Sequence, residues 1–270
     1  MSTAQPYRTL LIEKRGRTDW LTLNRPDALN AISVEMVREL GDYFARLYDD
    51  RSVRVVVMRG AGRAFCAGLD IKQRVTEGHE AAPFGRGFGY QGALAEVYVR
   101  MRRCPQPIIT LVHGPACGGG FAFVLASDIR IAGESARMNA AFIRIGLSAC
   151  DMGVSYFLPR LVGVSVASEL MLTGRFIHAS RALATGLVSE VVPDDQLSAA
   201  AQPYVDEMLA ASPAGLRMTK EGLSLAIDAS SLEAAMAIEN RNQALISSTP
   251  NGIEGRRAFL ERRPPVYTDD

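Results

Sequence analysis

The chain has no run of about eighteen apolar residues that could cross a membrane, and Met1 to Leu10 carries Gln5, Pro6, Tyr7 and Arg8 where a secretory leader needs an apolar stretch. A cytoplasmic location and no membrane contact are therefore expected. It also lacks a charge excess. Thirty basic residues face 29 acidic ones, for a net charge of +1, which excludes a broad electrostatic footprint for nucleic acid or anionic lipid. Only four cysteines occur, Cys66, Cys104, Cys117 and Cys150, with neither the close pairs of a zinc site nor the density of a disulfide scaffold, so reduced thiols and no metal are expected. There is no internal repeat and no low-complexity tract. With 48% hydrophobic residues over 270 positions, the chain can bury a sizeable core.

Two glycine-bearing stretches stand out, Phe65-Cys66-Ala67-Gly68-Leu69-Asp70 and Gly114 to Gly120, each after a short β-branched run that reads as a strand buried on both faces: Val53–Met58 and Ile108–Val112. After the glycine triplet, Phe121 to Ala126 has no polar break and reads as a buried helix whose first turn is the glycines. The unpaired N–H groups and dipole of such a turn favour negative charge. A second donor from the Ala67 region would complete a pair able to stabilise an enolate or tetrahedral oxyanion, a device worth about 2.7 to 4 kcal/mol per donor. Nucleotide motifs fail on the same residues. Phe65 stands where a dinucleotide fingerprint beginning at Gly60 needs its third glycine, and the triplet lacks the Lys and Ser/Thr of a P-loop.

Strands at Thr9–Lys14 and Trp20–Asn24 lead to a helix over Val34–Tyr48 with Ser33 as N-cap, on which Val37, Leu40, Phe44 and Leu47 keep helical spacing. Gln73 to Gln91, rich in glycine and aromatics, has the composition of a mobile lid. A helix then runs to about Arg103, and another strand lies near Asp128–Ala132. This alternation predicts a parallel α/β architecture. Beyond residue 196 the pattern is helical, over Leu197–Ala211, Gly215–Asp228, Ser231–Ser247 and Ile253–Arg262, so residues 1–196 are expected as the core and 197–270 as a helical lobe.

The two loops, together with Asn24 to Ala31, Ala126 to Arg130, Leu172-Thr173-Gly174 and Ala184 to Val188, resemble the enoyl-CoA hydratase/isomerase (crotonase) superfamily over nearly the whole chain. The resemblance implies a spiral of β-β-α turns with a C-terminal helical lobe that builds homotrimers or dimers of trimers. It also implies an acyl thioester of coenzyme A as substrate and no separate cofactor. By the same resemblance the N–H groups of Ala67 and Gly119 bind the thioester oxygen, with Cys66, Gly68, Leu69 and Gly118 around them. Arg25, Ala28, Ala64 and Asp70 border coenzyme A, and Arg263 and Tyr267 reach toward it.

Departures from the family pattern decide the chemistry. Where related hydratases carry two catalytic glutamates, this chain has Ala122 and Phe142, neither able to move a proton. Asp151 remains, at a position where relatives use a carboxylate as base in dienoyl-CoA isomerases and as nucleophile in 4-chlorobenzoyl-CoA dehalogenase. It also fits an N-cap of a helix starting near Met152. His113 reads as a turn residue, and no Ser-His-Asp arrangement is in sight. The expectation is hydration or double-bond isomerisation of an enoyl-CoA with Asp151 moving the proton. The alternatives are an acyl-CoA-binding relative with little turnover and an Asp-nucleophile enzyme.

Overall fold

The computed structural model describes residues 7–76 and 84–269. Strands β1 (Leu10–Arg15), β2 (Thr18–Leu23), β3 (Val55–Gly60), β4 (Ile108–Val112), β6 (Ile129–Gly133) and β9 (Glu190–Val192) form one sheet in the order β1-β2-β3-β4-β6-β9. β1 runs antiparallel to β2, and the remaining pairs are parallel. A parallel sheet must be covered on both faces, which is why β3 and β4 are apolar on both. Leu21, Met58 and Val112 join the larger core cluster, while Trp20, Val55 and Leu111 join a second one.

A smaller sheet, β5 (Pro115–Cys117), β7 (Arg137–Asn139) and β8 (Ile177–His178), stands beside the first. Cys66 makes an isolated parallel bridge to Ala116, so β3 reaches the small sheet as β4 and β6 do. β3, β4 and β6 thus each pass through a short segment there, giving the β-β-α turns that the resemblance implied. The short strands left no mark in the sequence, because three residues are too few for a hydrophobic period.

Helix α1 (Val34–Leu47) begins at Ser33, whose hydroxyl accepts from the Met36 N–H at 3.1 Å. α2 (Ile71–Thr76) and α3 (Phe84–Arg103) follow, so much of the glycine-rich stretch expected as a lid is helical. The part of that expectation covering residues 77–83 lies outside the described residues. α3 packs on α1 through Leu94, Val97, Tyr98 and Met101, and this burial outweighs the poor helix propensity of its glycines. α4 (Gly119–Ala126) is buried throughout. α5 (Val154–Thr173) bends at Gly163, α6 (Ala179–Ala184) is short, and α7 (Leu197–Ala210) covers the second face of the main sheet.

α8 (Pro213–Ala226), α9 (Leu232–Ser247) and α10 (Pro250–Glu261) pack on one another. Lys220 fastens α8 to its own core. It is 5% exposed, donates to the Met101 and Gln106 carbonyls at 3.1 and 2.8 Å, and pairs with Asp128 at 3.0 Å. Among the described residues no helix is long and apolar enough to cross a membrane.

Candidate active site

The first site loop leaves β3 and is held from below by Asn30, whose buried side-chain amide donates to the Ala64 carbonyl at 2.8 Å and the Phe65 carbonyl at 3.2 Å. The Ala67 N–H donates to the Leu29 carbonyl at 2.9 Å. This corrects the expectation for Ala67, because an amide already spent on a buried main-chain acceptor is not free for a ligand. Two residues on, the Leu69 N–H meets no acceptor among the described residues. Ile32 pairs with the Gly68 carbonyl and the Asp70 N–H on either side of it, and alternation along an extended segment turns the Leu69 N–H away from Ile32.

The second loop arrives from β4 through β5. The Gly118 N–H is spent on the Asn139 carbonyl at 2.9 Å, and the helix ladder starts with Ala122 donating to Gly118, which leaves the Gly119 amide in the unsatisfied first turn. The loops meet at Gly68. Its φ of +93° favours glycine, and a Cβ there would lie 2.7 Å from the Cys117 carbonyl oxygen and 3.8 Å from the Gly119 nitrogen. The free amides of Leu69 and Gly119 therefore belong to one crevice. A Cβ on Gly119 would stand 2.7 Å from Ile32 Cδ1 and 3.0 Å from both Met152 Sδ and Tyr98 Oη, so these three side chains form its walls. Tyr98 donates to the Gly119 carbonyl at 3.0 Å, fixing the first turn from behind.

Asp151 adjoins this wall through Met152. Its Oδ1 accepts from the Gln91 side chain at 2.6 Å and the Met152 N–H at 2.8 Å. Burial raises its carboxyl above the ordinary aspartate value, against the opposing pull of those two donors. The Tyr98 phenol is pushed up by its complete burial, with the nearby Asp151 carboxylate adding to the rise. The N-cap reading of Asp151 is overturned. α5 starts at Val154, its cap is Gly153, and Met152 and Gly153 carry φ of +50° and +80°, so the Asp151 side chain turns onto its neighbour instead of the helix.

Ala122 and Phe142 are buried, with Phe142 3.6 Å from a Cβ position on Gly118. Cys66 is buried and pushed up to about 12, and Cys117 by burial to about 11, so both stay as thiols. The His113 ring bonds the Gly62 carbonyl at 2.8 Å, a turn contact.

On the other flank, Arg25 pairs with Asp70 at 2.9 Å and donates to the Ala31 carbonyl. Burial favours the neutral form of Asp70, but the Gln73 amide and Arg25 outweigh it and hold the carboxyl below its ordinary value. Half-buried Ala28 ends the otherwise exposed 3₁₀ turn Pro26–Ala28, and Ala64 is fully buried. Arg263 and Tyr267 are not brought to this site by their own chain. Arg263 is clamped by Glu254 at 2.6 and 2.9 Å and by Glu261 at 2.6 Å. Tyr267 packs on Gly255, and the tail ends with Asp269 paired to Arg17, at the edge where β2 begins. The site loops leave the opposite edge of the sheet. Leu69 was expected beside the thioester oxygen but not as its donor, while Tyr98, Met152 and Gln91 escaped sequence reasoning as site residues.

The chain matches the family described as Enoyl-CoA hydratase/isomerase over residues 18–270. It belongs to the enoyl-CoA hydratase/isomerase family. It is 42% identical over 253 residues to the probable enoyl-CoA hydratase echA12 of Mycobacterium bovis, covering 93% of this chain and 89% of that one. Enoyl-CoA hydratase EchA19 of Mycobacterium tuberculosis is 32% identical, with 99% of each chain covered. The crystal structure of enoyl-CoA hydratase from Bacillus anthracis superposes with a TM-score of 0.91 at 30% identity, covering 97% of this chain and all of the other. These similarities span the crevice and the C-terminal helices alike, so the crotonase fold holds for the whole chain.

Proposed function

We propose that this chain hydrates or isomerises an enoyl-CoA, with the Leu69 and Gly119 amides donating to the thioester oxygen and the proton carried by Asp151. The observation that carries this reading is the pair of unspent amides meeting at Gly68, beside a carboxyl whose proton affinity is raised by burial. Two preorganised donors lower the energy of an enolate more than that of the neutral thioester, which is what accelerates the step.

One carboxylate suffices for either reaction. In isomerisation Asp151 takes a proton from the carbon beside the double bond, the electron pair passes to the thioester oxygen, and the same proton returns at the far end of the conjugated system. In hydration the water oxygen bonds to the carbon β to the carbonyl, its proton passes to Asp151, and the α-carbon receives it. Both steps conserve protons and electrons, so neither calls for a redox cofactor. Coenzyme A takes part as a piece of the substrate, lying along Arg25, Ala28 and Asp70.

Loss of conjugated thioester absorbance in purified protein supplied with enoyl-CoAs of several lengths tests the reading. Asp151→Asn is expected to cost about 10²- to 10⁴-fold in kcat while acyl-CoA still binds by calorimetry. Equal rates in wild type and variant remove Asp151 from the mechanism.

We further propose assembly as a homotrimer or dimer of trimers in the cytoplasm. Phe259 and Leu260 on α10 are 82% and 80% exposed, and Leu172 on α5 is 77% exposed, more apolar surface than a lone chain in water favours. The unpaired state of all four cysteines supports the compartment.

A further inference from the structure

Tyr98 and Met152, which wall Gly119, also form the inner end of an open groove of about 850 Å³. Leu125 of α4, with Ser127 and Asp128 just past that helix, lines its other end. Eight helical residues at about 1.5 Å each set that end roughly 12 Å from Gly119. Val99, Leu125, Phe157, Leu161, Leu223 and Ile227 give it apolar walls from α3, α4, α5 and α8. Its inner end thus opens one residue from Asp151.

The far end is cationic. Arg102, Arg103, Arg130 and Arg160 all line it, and the buried Lys220 lies behind. Asp128 serves both Arg102, at 2.7 Å, and Lys220, at 3.0 Å. Asp228 serves Arg160 at 3.1 Å. Arg130 spends its N–H groups on the Ser127 and Leu187 carbonyls, and Arg103 meets no carboxylate among the described residues. Five cations thus face two carboxylates. A guanidinium beside apolar walls is best satisfied by an anion, and its planar fork fits a carboxylate with two parallel hydrogen bonds.

We infer that this groove receives the acyl tail and that the tail ends in a carboxylate, so that the substrate class is the coenzyme A thioester of an unsaturated dicarboxylic acid. The inference rests on the enoyl-CoA reading above and deepens it. Apolar walls hold the methylene run, and the arginines select its far end. A methyl-ended tail of the same length leaves the cations to water and forfeits that contact.

The test compares kcat/KM for enoyl-CoAs of matched length ending in methyl or in carboxylate, using the full chain. Wild type is expected to prefer the carboxylate about tenfold or more, and Arg103→Gln to lower that preference by about tenfold, the scale of one charge-assisted hydrogen bond. A wild-type ratio at or below one overturns the inference and leaves the enoyl-CoA reading standing. If no enoyl-CoA is turned over, that reading falls, and calorimetry with the matched saturated thioesters decides the groove: equal affinities overturn the inference, and tighter binding of the carboxylate sustains it. Acetyl-CoA is the control for the phosphates of coenzyme A. Should Arg103→Gln weaken acetyl-CoA as much as the dicarboxylic thioester, the arginine holds a phosphate and the inference is overturned.

Discussion

Asp151 holds its proton more tightly than a free aspartate because burial penalises the carboxylate, while the Met152 N–H and the Gln91 amide stabilise it. Gln91→Leu removes one of those stabilisers, so the carboxyl rises further. A base must be ionised, and activity therefore falls as pH drops through the raised value. The acid limb of the kcat/KM profile is expected to move to higher pH in Gln91→Leu, and an unmoved limb removes the Gln91 contact from the mechanism. The stability sign follows the same direction. Because folding raises this pKa, the ionised form costs stability, fully above the folded pKa and not at all below the unfolded one. The family resemblance pointed to Asp151, a carboxylate at a position that relatives use, where Ala122 and Phe142 replace the two glutamates. It could not find that Ala67 is spent on Leu29, because that bond joins segments brought together only by the fold.

Among the elements, α8 shows how one side chain seats a helix. Lys220 reaches into the corner between α3 and β4, where two carbonyls and Asp128 take its charge. Lys220→Met removes the charged donor from those acceptors, leaving the two carbonyls to the weak Cys104 thiol, and is expected to cost about 3 kcal/mol, the range for breaking a buried pair, moderated because Arg102 still holds Asp128. A lower denaturation midpoint at unchanged m-value is the expected outcome; an unchanged midpoint means that α8 is held by apolar contact alone. Helical spacing predicted α1 and α7 to within a residue or so at their ends, and the unbroken apolar run after the glycine triplet predicted α4. The helix running to Arg103 was expected, but the start of α3 was hidden by Gly85, Gly87 and Gly89, whose flexibility argues for a loop.

For the whole molecule, the exposed apolar residues of α5 and α10 bear on assembly. Sedimentation of the full chain is expected to give a mass three or six times 29.2 kDa, and a monomer at micromolar concentration refutes the proposed trimer. The sequence by itself determined the α/β alternation, the helical C-terminus, the two glycine loops and the missing glutamates, because these depend on local propensity, short periods and residue identity. Only the tertiary structure decided which amides stay free, that Gln91 bonds Asp151, and that four arginines crown one apolar groove. Each of those is a contact between distant segments, and hydrogen-bond partners, burial and summed charge have no value until the chain has brought them together.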